Sequence, residues 1–149
     1  MKIKDNYNVI FIMADQMKAT ASSLYSEIGV ETPNLERMKK NGVQFDNAIT
    51  PHPLCVPART SVMSSKYPHT TGCRRNETLM PDNENHVFKV WKEAGFKLGL
   101  IGKNHCFETE NDLKLFDHLD EFTHSGRNGN RNKMEKSAKN RHKLTDKQV

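Results

Sequence analysis

The stretch Asn8-Val-Ile-Phe-Ile-Met-Ala14 is a continuous apolar run, rich in β-branched and aromatic residues. A run of this length and composition reads as a strand buried on both faces, as in a parallel sheet. Such a strand needs a crossover helix to reach its neighbour, which commits the chain to an α/β architecture. Asp15 and Gln16 follow at once and would stand at the strand's C-terminal end. In open α/β sheets, ligands bind along that edge.

The residues downstream continue the alternation. Thr32 can cap a helix over Pro33 to Lys40, Pro33 suits its first position, and Gly42 can end it. Leu35 and Met38 supply its apolar stripe. Val43 to Ile49 alternates in part and predicts a second strand. Pro51 to Leu54 reads as a loop, and a helix resumes after Pro57 to about Ser65. Asn83 to Ala94 predicts an amphipathic helix with Val87, Val90 and Trp91 on one face, ended by Gly95. Phe96 to Ile101 predicts a further strand, followed by Gly102-Lys103-Asn104-His105. The order is that of an α/β fold with a mainly parallel sheet flanked by helices.

Charge divides the chain unevenly. Of its 149 residues 28% are charged and 35% hydrophobic, with mean hydropathy −0.79, which is polar for a globular domain. From Thr123 to Val149 eight Lys or Arg face two acidic residues, so this tail carries +6 of the net +5 and the remaining residues −1. Residues 1–122 are therefore read as the folded body and 123–149 as a basic polar tail belonging to a larger region. The charge resides in the tail and so does not imply a nucleic-acid-binding fold. The tail also lacks an aromatic residue for base stacking, so no specific nucleic-acid partner is expected. Cys55, Cys73 and Cys106 are odd in number and show no zinc-ligand spacing, which fits a reducing, cytoplasmic setting. The apolar run is too short for a membrane span, and no membrane partner is expected.

Cys55 precedes a proline suited to a helix start, where backbone N–H groups and the helix dipole favour anions. Arg59 falls on the same face one turn later. A thiol so placed is a candidate reactive cysteine, although most free cysteines are small buried hydrophobes. Likewise Asp15 could simply cap a turn, Lys103 could be a solvated surface residue, and His105 a loop histidine or, with Cys106, a metal ligand.

Cys55-Val56-Pro57-Ala58-Arg59, with Thr60 to Pro68 after it, resembles the signature of the sulfatase family, within the alkaline-phosphatase-like superfamily. Ser64-Ser65-Lys66 stands where that family usually has Thr-Gly-Arg. Asp15-Gln16 resembles its metal-binding Asp-Asp pair, in a form that some relatives, including choline-sulfatase-like proteins, carry. Residues 1–122 thus resemble the N-terminal part of a choline-sulfatase- or arylsulfatase-like catalytic domain. Gly102-Lys103-Asn104-His105 resembles its Gly-Lys-Trp-His segment, with Asn104 in place of Trp. Thr32 to Leu35 and Gly42 to Ala48 also look like family sequence, and the three main clusters come in the family's order.

The resemblance implies a sulfuric ester hydrolase. Cys55 would be oxidised by a maturation enzyme to formylglycine, whose hydrate attacks the sulfur of a small sulfate ester and later expels sulfate. Arg59 would hold that hydrate. Asp15, Gln16 and residue 55 would coordinate Ca²⁺ or Mg²⁺. Lys103 would bind the sulfate oxygens, and His105 would exchange a proton with the nucleophile. Family members are several times longer, and their remaining ligands have no motif here; Asp117, Asp120 and His124 match none. The expectation is an incomplete hydrolase, inactive as 149 residues alone. A phosphonate monoester or phosphodiester hydrolase of the same superfamily is the second reading, and a small basic binding module the third.

Overall fold

The computed structural model describes residues 7–28, 30–107, 109–123 and 126–127, with backbone only from 122 on. Nearly all of the basic tail lies outside the described residues. Chain contacts divide the molecule into two compact units, Tyr7–Thr50 and the residues from Pro51 on.

In the unit Tyr7–Thr50 the predicted helix forms as α1, Pro33–Lys40. Thr32 stands at its N-cap without a side-chain capping bond. Its hydroxyl is engaged instead with Ser22 and Ser23, at 2.8 and 2.9 Å. Ser22 also bridges to Val30 in parallel, and Ser23 bonds to Glu36, so a serine–threonine knot fixes the approach to α1.

Both strands predicted in this unit need correction. Residues 8–14 and 43–49 pair with no strand among the described residues. Val9 is 54% exposed, Ile10 83%, Phe11 54% and Ile12 80%, the opposite of a strand buried on both faces. An apolar run becomes a central strand only when flanking strands take up its amides and helices cover its faces. The described residues supply neither. Asp15 and Gln16 accordingly sit in an exposed bend, with Gln16 at φ 52°.

The second unit contains the core. Its elements are α2 Cys55–Ser64, α3 Pro68–Thr71, α4 Val87–Glu93, β1 Gly99–Gly102, α5 Glu110–Leu113, β2 His118–Thr123 and the two-residue β3 Gly126–Arg127. β1 and β2 pair in parallel, from Gly99 with His118 to Gly102 with Glu121, and α5 lies in the crossover between them. β3 adds antiparallel to β2. The α/β class with a small parallel sheet and flanking helices holds.

Helix α2 begins two residues before Pro57, at Cys55 itself. Pro57 is tolerated because the first N–H groups of a helix have no internal partner. Ser65 closes α2 in the left-handed region, φ 58° and ψ 26°, with its N–H on the Ser61 carbonyl. This is the position where the family signature carries glycine, the residue that adopts such angles without cost.

Helix α4 starts at Val87 rather than Asn83, because His86 is extended and buried. Its inward residues are Phe88 and Trp91, whereas Val90 is 48% exposed. Phe88 meets Phe107 and Phe116 edge-on at 5.5 and 5.1 Å between ring centres, and His86 lies 4.6 Å from the Phe107 ring. Edge-on rings place the positive rim of one on the negative face of the next. Met80, Cys106 and Phe107 form the buried centre, with Met63 and Phe88 packed against it.

Beneath this cluster Asp112 is buried and fully engaged. His86 Nε2 lies 3.1 Å and Lys89 Nζ 3.3 Å from Oδ1, and Thr109 Oγ1 donates to Oδ2 at 3.0 Å. Burial alone would push the Asp112 carboxyl up. The His86 and Thr109 hydrogen bonds and the nearby positive charge outweigh it and hold the group below its ordinary value.

Candidate active site

Three of the predicted residues meet around the start of α2. Cys55 is the first helical residue and is half-buried. Leu54, the N-cap, makes no side-chain bond, and the vacant capping role is filled from elsewhere in the chain: Asn76 Oδ1 accepts the Val56 N–H at 3.1 Å. Asn76 was not singled out from sequence. It lies 20 positions from Val56, and nothing local marks a cap supplied at that range.

Lys103 follows β1, and its Nζ donates to Cys55 Sγ at 3.7 Å. Gly102 makes this turn possible. Its φ of 99° is open to glycine and strained for any residue with a Cβ. Arg59, one turn along α2 and 7% exposed, donates from an Nη to the Lys103 carbonyl at 2.8 Å. The guanidinium therefore joins α2 to the Lys103 segment, a structural link that spacing alone did not reveal.

His105 is half-buried two residues beyond Lys103, at φ 60°. Between them Asn104 is 4% exposed. Its Oδ1 accepts from the Cys106 and Phe107 N–H groups at 3.2 and 2.9 Å, and its Nδ2 donates to the Phe107 carbonyl. Cys106 is 2% exposed, and burial pushes its thiol far up, against a smaller opposing effect of the Arg59 charge. Cys73 is 1% exposed, and burial likewise raises it; its Sγ donates to the Leu79 carbonyl at 2.9 Å. Both are structural thiols, and Cys106 as a metal ligand does not fit a side chain sealed in the core.

Asp15 and Gln16 belong to the unit Tyr7–Thr50, where both are exposed. They offer a carboxylate and an amide oxygen from adjacent residues, a donor set suited to a hard cation such as Ca²⁺ or Mg²⁺. Among the described residues no group of three or more His, Cys, Asp or Glu is placed to hold a metal ion.

The arrangement gathers a sulfur at a helix N-terminus, an ammonium beside it and a buried guanidinium behind it. Positive charge and helix N–H groups so gathered around one sulfur favour anions. The comparisons with known proteins agree. The sulfatase family model matches residues 7–147. An ulvan-active sulfatase of Formosa agariphila is 34% identical over 98 residues, covering 66% of this chain and 19% of that protein. An N-acetylglucosamine-6-O-sulfatase of Bacteroides thetaiotaomicron is 30% identical over 111 residues, covering 74% of this chain and 19% of that protein. A structure solved in complex with its substrate D-glucosamine-2-N,6-O-disulfate superposes with a TM-score of 0.71 and 28% identity, over 78% of this chain and 23% of that one. The chain thus spans about a fifth of the length of these relatives. With the motif order, the site and a family match across almost its whole length in agreement, the chain belongs to the sulfatase family.

Proposed function

We propose that this chain carries the nucleophile and part of the sulfate-binding set of a sulfuric ester hydrolase that acts on a small sulfate ester, with sulfated sugars as the favoured class. The observation that carries the reading is the Lys103 ammonium 3.7 Å from the Cys55 sulfur. One relative is an N-acetylglucosamine-6-O-sulfatase, and one neighbour was solved with a glucosamine disulfate, which supports the sugar class.

Converted to formylglycine by a maturation enzyme, Cys55 would supply an activated oxygen nucleophile, and Asp15 and Gln16 in their own unit would offer oxygen donors to a divalent cation, whose chemistry is that of a Lewis acid. The chain's own residues do the rest. α2 aims its N-terminal dipole at the anionic group. Lys103 neutralises the sulfate oxygens as charge develops on them. Arg59 fixes the Lys103 backbone, so the ammonium is positioned before substrate arrives. His105 moves a proton to and from the nucleophile.

Turnover of matched esters by a full-length enzyme that contains these residues tests this: N-acetylglucosamine 6-sulfate, an aryl sulfate, choline sulfate and a phosphonate monoester. Sulfate release that is fastest on the sugar and vanishes in Cys55→Ala is the expected result. Preference for choline or aryl sulfate would move the assignment to that branch. Preference for the phosphonate would favour the phosphonate-hydrolase reading, and turnover untouched by Cys55→Ala would overturn the site.

A further inference from the structure

We propose that Asn104 is a positioning residue for Lys103 and His105, holding the segment between them in a side-chain-built turn where the family signature carries tryptophan. The functional weight of this inference rests on the sulfatase reading of Lys103 and His105; its geometry does not. A carboxamide offers two donors and an acceptor with two lone pairs, whereas an indole offers one donor and no acceptor. Asn104 uses both faces of its amide. Oδ1 takes the Cys106 and Phe107 N–H groups, Nδ2 takes the Phe107 carbonyl, and the Cys106 thiol lies 3.5 Å from Oδ1.

The consequence is mechanical. Beyond the β1 ladder, the Cys106 and Phe107 N–H groups and the Phe107 carbonyl find their hydrogen-bond partners in one buried side chain. Phe107 anchors the far end of this turn in the core at 2% exposure. At the near end, Arg59 holds the Lys103 carbonyl. His105 lies inside the turn at φ 60°, a conformation non-glycine residues keep only when their surroundings enforce it. Lys103 is thus held by Arg59 on its carbonyl and continues directly into the turn that the Asn104 side chain builds.

Thiol labelling of the whole chain with iodoacetamide, read peptide by peptide by mass spectrometry, tests the proposal. Cys55 is half-buried and reacts, with the Lys103 ammonium 3.7 Å from its sulfur. Cys73 and Cys106, 1% and 2% exposed, stay silent. In Asn104→Ala the Cys55 rate falls several-fold, in the same direction as in Lys103→Met, and Cys106 begins to label. The double variant labels Cys55 no more slowly than Lys103→Met alone, because Asn104 acts through Lys103.

An unchanged Cys55 rate in Asn104→Ala, or an additive loss in the double variant, overturns the proposal. Cys73 reports global unfolding. If it labels in Asn104→Ala, the same cycle is run with Asn104→Ser, which keeps a short acceptor for the turn, and additivity there overturns the proposal equally. The readout is chemistry of the unmodified thiol, so its failure leaves the sulfatase reading standing, whereas failure of that reading shows in the maturation of Cys55.

Discussion

Lys103 Nζ lies 3.7 Å from Cys55 Sγ although 48 residues separate them. Two local devices make the approach possible: glycine angles at Gly102 that turn the chain off β1, and the Arg59 bond to the Lys103 carbonyl. The motif residues are therefore coupled mechanically as well as chemically.

Arg59 is central to that coupling. Replacing it with alanine removes a charge-assisted, part-buried hydrogen bond from the Lys103 carbonyl. The expected loss is about 1.5–3 kcal/mol of stability, measured as a fall in the urea midpoint. Arg59→Lys should recover only part of it, because an ammonium cannot reproduce the planar fork. A midpoint unchanged in Arg59→Ala would show that the link carries no stability.

Ser65 offers a gain. It closes α2 at φ 58°, where a Cβ costs roughly 1–2 kcal/mol. Its side chain is exposed at the end of the helix. Ser65→Gly should raise stability by up to about 1 kcal/mol, after the extra unfolded-state entropy of glycine is subtracted. A lower midpoint for this variant would show that the serine side chain earns its place.

Phe107 joins the core to the Lys103–His105 segment. At 2% exposure, with ring contacts to His86, Phe88 and Phe116, it should cost about 3–5 kcal/mol when truncated to alanine. Phe107→Leu should cost clearly less. Equal losses for both would indicate that ring packing, rather than volume, dominates at this position.

Asp112 sets an acid limit. Its folded-state value lies below its unfolded one, so the unfolded chain binds the proton more readily and stability rises with pH across that window. The contribution is complete above about pH 4, the ordinary carboxylate value, and is lost as pH falls through the folded-state value. Asp112→Asn should flatten the acid limb of the urea midpoint plotted against pH. An acid limb that keeps its slope in this variant would assign the effect to other carboxylates.

What the sequence disclosed follows from how local each signal is. Helices α1 and α2 and strand β1 were legible because their punctuation and apolar runs lie within one segment. The strand at 8–14 was not realised, because burial of an apolar run depends on partners that a local pattern does not contain. β2 was missed because Asp120 and Glu121 interrupt its apolar alternation, although Glu121 is buried at 5%. The grouping of Cys55, Arg59 and Lys103 was legible as motif, and the structure brings the three side chains together. The Asn76 cap and the Asn104 turn were not, since both depend on side chains bonding to backbone outside any repeating pattern.

The most direct test of the account is the chemical state of Cys55 in protein made by a host shown to mature other sulfatases. Peptide mass spectrometry with an aldehyde-specific reagent reads it. The account predicts that Cys55 alone is converted to formylglycine, while Cys73 and Cys106 remain thiols in the core. An unmodified Cys55 in that host would contradict the assignment of this residue as the precursor of the nucleophile.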